Sequence, residues 1–220
     1  MADPTSRAIA DPDELTSAQR RVLDAAIDVF AEHGYAGTST RDIAVRAGRS
    51  PAVVYVHHPS KEDLLFAISE RTQRLALIHL ASAFESNSDP IARVHAMVRE
   101  FSLWHLDNVQ AARVTQYEMR ALTPNHRAAI IAQRREFHRM MRTALEAGIR
   151  EGVFEVDDLH RTAHSLLALG IDLVRWYDPS VDPDKRSIAA HNADMAIRML
   201  RLRRLPTAIP DDYHPTHAEE

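Results

Sequence analysis

The stretch from Thr38 to Leu65 admits few folds, because helix starts and helix stops alternate along it within an apolar pattern. Thr38 can cap a short helix whose Ile43, Ala44 and Ala47 face inward, and Gly48 ends it. Ser50 stands at the next cap position, followed by Pro51 at the first helical position, where a missing amide costs nothing. Pro59 stops that second short helix. Ser60 caps a longer one, with Asp63 at the capping-box position and Leu64, Ile68 and Leu75 along one face. A short helix, a glycine turn and another short helix predict a helix-turn-helix, whose second helix lies in the major groove of DNA.

The rest of the chain reads as further helices. Thr16 and Gln19 form a capping box ahead of Leu23, Ile27 and Phe30, and Gly34 ends that stripe. Beyond Asp89-Pro90 the pattern predicts helices at roughly 90–107, 109–121, 124–151, 157–177 and 183–205. Only 6 glycines in 220 residues argue against an all-β chain, and 45% hydrophobic residues suffice for a core. The expected fold is all-α: a three-helix helix-turn-helix domain at 16–66 and a helical ligand-binding and dimerisation domain at 67–205. The boundary lies within the fourth helix. The tails 1–15 and 206–220 lack an apolar period and are expected to be disordered.

The run TSTRDIAVRAGRSPAVVYVHHPSKEDLL resembles the TetR family of bacterial repressors. The match lies in Thr38, Arg41-Asp42-Ile43-Ala44, the Ala47-Gly48 turn, Ser50, Tyr55, His57 and Ser60-Lys61-Glu62-Asp63-Leu64-Leu65, and covers 16–70 densely. Arg49 stands where the family usually has an apolar residue, and His58 where phenylalanine is common. The resemblance implies that Pro51, Ala52 and Val53 begin the recognition helix with small apolar surfaces, suited to a thymine methyl. Tyr55 and His57 would reach phosphate or a base edge. Lys61 would meet a phosphate, and Thr40, Arg41, Arg49 and Ser50 would add contacts. Val53 and Tyr55 also fit ordinary packing, and Arg49 a solvated surface. More distantly, YEMRALTPNHR, WYDPS and ADMAIRML are similar to actinobacterial regulators of sterol and fatty-acid breakdown, several of which sense CoA thioesters.

A net charge of −4 does not oppose DNA binding, because the acids concentrate in the tails. Residues 1–15 carry −3 and 206–220 carry −4, leaving +3 on the body; 39–61 alone is +3.

In the C-terminal half, 183–205 presents two apolar faces, Ile188, Met195, Met199 and Leu202 on one and Ala189, Ala193, Ala196 and Leu200 on the other. Two faces ask for two partners, the chain's own core and a second copy, or else a thick core. Leu173, Trp176, Met195, Met199 and Leu202 are the expected dimer residues. Isolated polar groups on apolar stripes suggest a pocket lined by Phe101, Trp104, His105, Tyr117, Glu118, Arg134, Met141 and His164. The expected occupant is an acyl-CoA or another amphipathic carboxylic compound. Glu118 fits either a pocket residue or a core ion pair with an arginine. Arg135, Arg139 and Arg142 make a basic face that fits CoA phosphates or plain solvation.

His160 and His164 have zinc-chelating spacing with Asp157 nearby, but no third strong ligand is evident, so neither metal nor cofactor is expected. The chain lacks cysteine, a P-loop, a nucleophile elbow and HExxH, so an enzyme is not expected. An architectural DNA protein without a ligand would not need so long a second half. The expectation is a cytoplasmic, homodimeric regulator with no membrane partner, released from a near-palindromic operator by a small effector.

Overall fold

The computed structural model describes residues 15–182 and 184–202, the side chains of His57 and Leu202 excepted. Most of both tails, and Pro183, lie outside these residues. The fold is all-α. The helices are α1 (Ser17–His33), α2 (Thr40–Arg46), α3 (Pro51–His57), α4 (Lys61–Glu85), α5 (Pro90–Asp107), α6 (Val109–Tyr117), α7 (Pro124–Arg150), α8 (Leu159–Ile171), α9 (Leu173–Trp176) and α10 (Lys185–Met199). One antiparallel ladder joins β1 (Phe154–Glu155) to β2 (Arg201–Leu202).

Local chemistry explains most boundaries. Thr16 and Gln19 form the expected capping box. α2 starts one residue later than expected: Ser39 caps it reciprocally with Asp42, while the Thr38 hydroxyl donates to the Gly34 carbonyl at 2.9 Å. Gly48 takes φ 61° and Gly152 φ 68°, left-handed conformations that end α2 and α7 where glycine avoids the Cβ clash. Three expected helices are shorter or broken. The one expected at 109–121 stops at Tyr117 and continues only as a 3₁₀ turn, Met119–Ala121. The one expected at 157–177 is capped by Asp158 and interrupted at Asp172. The last is capped by Asp184 and ends at Met199, so Leu202 lies on a strand and its side chain falls outside the described residues.

The chain forms two compact units. Of the described residues, the first comprises 15–78 and 110–132, the second 79–109, 133–182 and 184–202. The first is therefore larger than the expected 16–66 domain, because 110–132 joins it. The chain crosses between units inside α4 and inside α7, both unbroken helices, and at the α5–α6 junction. In the first unit Val22, Ala26 and Phe30 of α1, Ile43 of α2, Val54 of α3 and Leu64, Leu65 and Ile68 of α4 share a core with Val114, Leu122 and Ile130.

In the second unit α10 runs along α5, and α8 packs on α5. Ala189, Ala193 and Ala196 are the buried face of α10, and Leu200 just after it is buried as well. Asn192 ties this packing together, donating to the Ser102 hydroxyl at 3.3 Å and the Leu169 carbonyl at 3.0 Å. His95 Nε2 meets Asp194 Oδ1 at 3.2 Å. A Cβ at Gly148 would fall 2.1 Å from the Phe154 ring, so the ring lies directly on the α7 backbone.

Candidate DNA interface and effector-binding residues

In α3, Val54 is the fully buried anchor and Val53 is half-buried. Pro51, Ala52, Tyr55 and Val56 are exposed, so the outward face is mostly apolar with one phenol. The Tyr55 hydroxyl lies 2.8 Å from Thr40 Oγ1, which joins the start of α2 to α3 as one polar edge. Arg41, Arg49 and Ser50 are exposed beside them. Ser50 occupies the α3 cap position without a side-chain cap bond, leaving its hydroxyl to other uses. The His57 side chain lies outside the described residues. Sequence reading passed over Val45 and Val56, which are 74% and 76% exposed. Large apolar side chains that a folded unit leaves in water are candidates for thymine-methyl or partner contact.

Two cations of the segment have other duties. Arg46 forks onto Glu32 of α1 and approaches Asp28 at 3.6 Å, so it fastens α2 to α1. Lys61 Nζ donates to the Tyr35 and Thr38 carbonyls, both at 2.7 Å, and sits 4.1 Å above the Tyr35 ring. These bonds make Lys61 a clamp on the loop before α2, a role distinct from the phosphate contact expected of it. Its ammonium satisfies the carbonyls of the loop that precedes α2, where no helix or strand supplies donors.

Glu118 serves the same loop. Its Oε1 accepts the Tyr35 amide at 3.2 Å. Tyr117 and Glu118 thus belong to the first unit, with Tyr117 half-exposed. Neither expected role of Glu118, a pocket wall or an ion pair with an arginine, describes this bond. The cause is that α6 ends before Glu118, which takes it off the apolar stripe. Nearby, Glu62 accepts the Thr123 amide at 2.7 Å and approaches His126 Nδ1 at 2.8 Å, while Phe66 stacks on the His126 ring at 3.9 Å. Glu62, Asp63 and His126 place one donor atom each within 4.8 Å of one another. Sequence reading missed this cluster, since 62 and 126 are joined only by the fold.

The other six pocket candidates lie in the second unit. Phe101, Trp104, His105 and Met141 are buried together with Phe137. The Phe101 ring centroid is 4.4 Å from His105 and 5.3 Å from Phe137, and Trp104 meets His105 edge-on at 5.1 Å. Burial pushes the His105 pKa from 6.5 to about 4, with the Phe101 carbonyl opposing and Arg134 adding to the shift. The neutral ring donates Nδ1–H to that carbonyl at 2.7 Å, which leaves Nε2 as an acceptor. Arg134 is half-buried, and burial lowers its pKa as well. His164, by contrast, is exposed. In the basic face of α7, Arg139 pairs with Glu136 and Arg142 with Glu146, which favours solvation over phosphate capture.

Of the expected dimer residues, Trp176, Met195 and Met199 are exposed. Leu173 is a correction: it is buried in its own chain with Leu106, Tyr177 and Ala189, continuing the inward stripe of Leu166, Leu167 and Gly170. Among the described residues, no helix is long and apolar enough to cross a membrane.

Comparison with known proteins places these features in context. Residues 22–68 match the family described as bacterial regulatory proteins, tetR family, and residues 87–200 match that described as tetracyclin repressor-like, C-terminal domain. The HTH-type transcriptional repressor KstR2 of Rhodococcus jostii (strain RHA1) is 30% identical over 161 residues, 72% of this chain and 78% of that protein. A solved bacterial regulatory protein in the tetR family from Rhodococcus RHA1 is 37% identical with a TM-score of 0.81, covering 86% of this chain and 100% of that one. AibR, solved in complex with isovaleryl coenzyme A and operator DNA, shares the fold at 24% identity and a TM-score of 0.73, covering 81% of this chain and 97% of that one. The chain belongs to the TetR family of bacterial regulators and is a DNA-binding transcriptional regulator, not an enzyme.

Proposed function

We propose that two copies of this chain repress transcription by reading a near-palindromic operator with paired α3 helices, and that a small amphipathic effector held in the second unit releases them. The observation that carries the DNA reading is the outward face of α3: Pro51, Ala52, Tyr55 and Val56 in water, flanked by Arg41 and Arg49. Apolar tips suit thymine methyls, and the flanking cations suit phosphates. One short helix reads few base pairs, so a two-fold pair supplies the rest of the site. Met195 and Met199 on the outer face of α10 support the pairing, being 36% and 45% exposed beside a buried alanine face.

The effector reading rests on the cluster of Phe101, Trp104, Phe137 and Met141 around a neutral imidazole and the half-buried Arg134 guanidinium. Aromatic and thioether walls suit an acyl chain, and a cation withdrawn from water favours an anionic head such as the phosphates of coenzyme A or a carboxylate. In AibR the same fold accommodates isovaleryl coenzyme A and DNA. Release requires that the effector prefer the conformation in which the paired α3 helices no longer fit successive grooves.

The test is operator binding by the full chain on DNA selected from its own genome, titrated with acyl-CoA thioesters of increasing chain length. Release at one chain length, reduced by Arg134→Met with effector-free affinity preserved, is the expected result. Release by no acyl-CoA or free acid would remove this effector class.

A further inference from the structure

We propose that His138, His160 and His164 form a binding site for a zinc-like divalent transition metal on the second unit. His160 and His164 stand one turn apart on α8, which gives them a common face. In sequence the pair lacks a third ligand, and the tertiary structure supplies it from α7. The His138 ring lies 5.1 Å from that of His164 and 6.0 Å from that of His160, measured between centroids. A tetrahedral ion with bonds of about 2.0–2.1 Å to imidazole nitrogens holds ring centroids about 5 Å apart. The His138–His164 separation already matches the one that a shared ion imposes, and His138–His160 is longer by about 1 Å. The rings are near-parallel, at 17° and 22°, so rotation about the terminal side-chain bonds must still aim the nitrogens at one point. His160 and His164 are exposed and free to make that rotation.

The donor chemistry agrees. His138 Nδ1 is buried without a hydrogen-bond partner, a costly state for a polar atom and one that a metal bond would relieve. The carboxylates nearest in sequence are engaged, Asp158 by Arg161 at 3.2 Å and Asp157 by Arg201 at 2.7 Å. The site thus offers three imidazoles, a donor set that suits zinc, cobalt(II) or nickel(II) better than magnesium or calcium. The cluster of Glu62, Asp63 and His126 is a weaker candidate. Its Glu62 already serves the Thr123 amide and His126, and its Asp63 serves Ser60. An ion at the histidine site would bolt α7 to α8, independently of DNA or effector.

The experiment uses untagged, metal-free full chain titrated with zinc by calorimetry and with cobalt(II) by visible absorption. Expected are one ion per chain, a tetrahedral cobalt spectrum and a melting temperature that rises with zinc. His164→Ala, an exposed change that spares the core, should weaken binding about tenfold or more, and His138→Ala should do the same. His126→Ala should leave affinity unchanged. No zinc binding at about 100 µM free metal, unchanged affinity in His164→Ala, or loss of binding in His126→Ala would each overturn the proposal.

Discussion

Replacing Lys61 by methionine separates a clamp from a phosphate contact. Methionine keeps an unbranched apolar stem and removes the ammonium that donates to the Tyr35 and Thr38 carbonyls at 2.7 Å each. A hydrogen bond with a charged partner contributes about 1.5–3 kcal/mol. Both bonds here are half-buried, which argues for the lower end, so losing the pair should cost about 3 kcal/mol. The 4.1 Å contact with the Tyr35 ring adds about 0.5–1 kcal/mol. With a urea dependence of about 1–3 kcal/mol per molar, a loss of about 3.5–4 kcal/mol should lower the unfolding midpoint by about 1–4 M. The second readout is operator affinity against salt. Each phosphate contact contributes about −0.9 to the logarithmic slope, so a clamp leaves the slope at its wild-type value even where affinity drops. Wild-type stability combined with a shallower slope would refute the clamp and return Lys61 to the phosphate backbone.

Met195→Glu with Met199→Glu should yield a monomer by sedimentation velocity with weakened operator binding, since burying unpaired carboxylates in an apolar seam is strongly unfavourable; a stable dimer would move the interface elsewhere. Gly170→Ala places a methyl 2.8 Å from Phe101 Cδ1 and should cost about 1–3 kcal/mol in thermal unfolding while shifting effector response, because Phe101 lies in the aromatic cluster. His105 predicts a pH signature. Its folded pKa of about 4 lies below the unfolded 6.5, so its contribution is complete above pH 6.5 and is lost as pH falls towards 4, by up to about 1.4 kcal/mol per pH unit. His105→Gln should flatten the stability curve in that window, as followed by denaturant titration; an unchanged slope would mean that the ring is not held neutral.

What the sequence determined by itself is local in physical origin. A serine at Ser60 with Asp63 three residues on, a proline at Pro51 after Ser50, and a glycine at Gly48 act within one helical turn, so their consequences hold wherever the segment sits. The same locality explains the two faces of α10: a period of 3.6 residues sorts Ala189, Ala193 and Ala196 from Met195 and Met199 before any partner is known. Tertiary structure decided the partners. Nothing near Glu118 in sequence marks the Tyr35 amide, which is 83 residues away, and the stripe that suggested a pocket position assumed a helix that in fact ends at Tyr117. Lys61 reaches carbonyls 26 and 23 residues away, and Glu62 finds His126 across 64. Leu173 is buried against Leu106 and Ala189 while Trp176 stays outside. His138 likewise meets His160 and His164 only because α7 and α8 come together in the folded chain. Hydrogen bonds and ring contacts select on distance in space. Period and capping fix which face a residue occupies, but the identity of what lies opposite depends on how the helices pack.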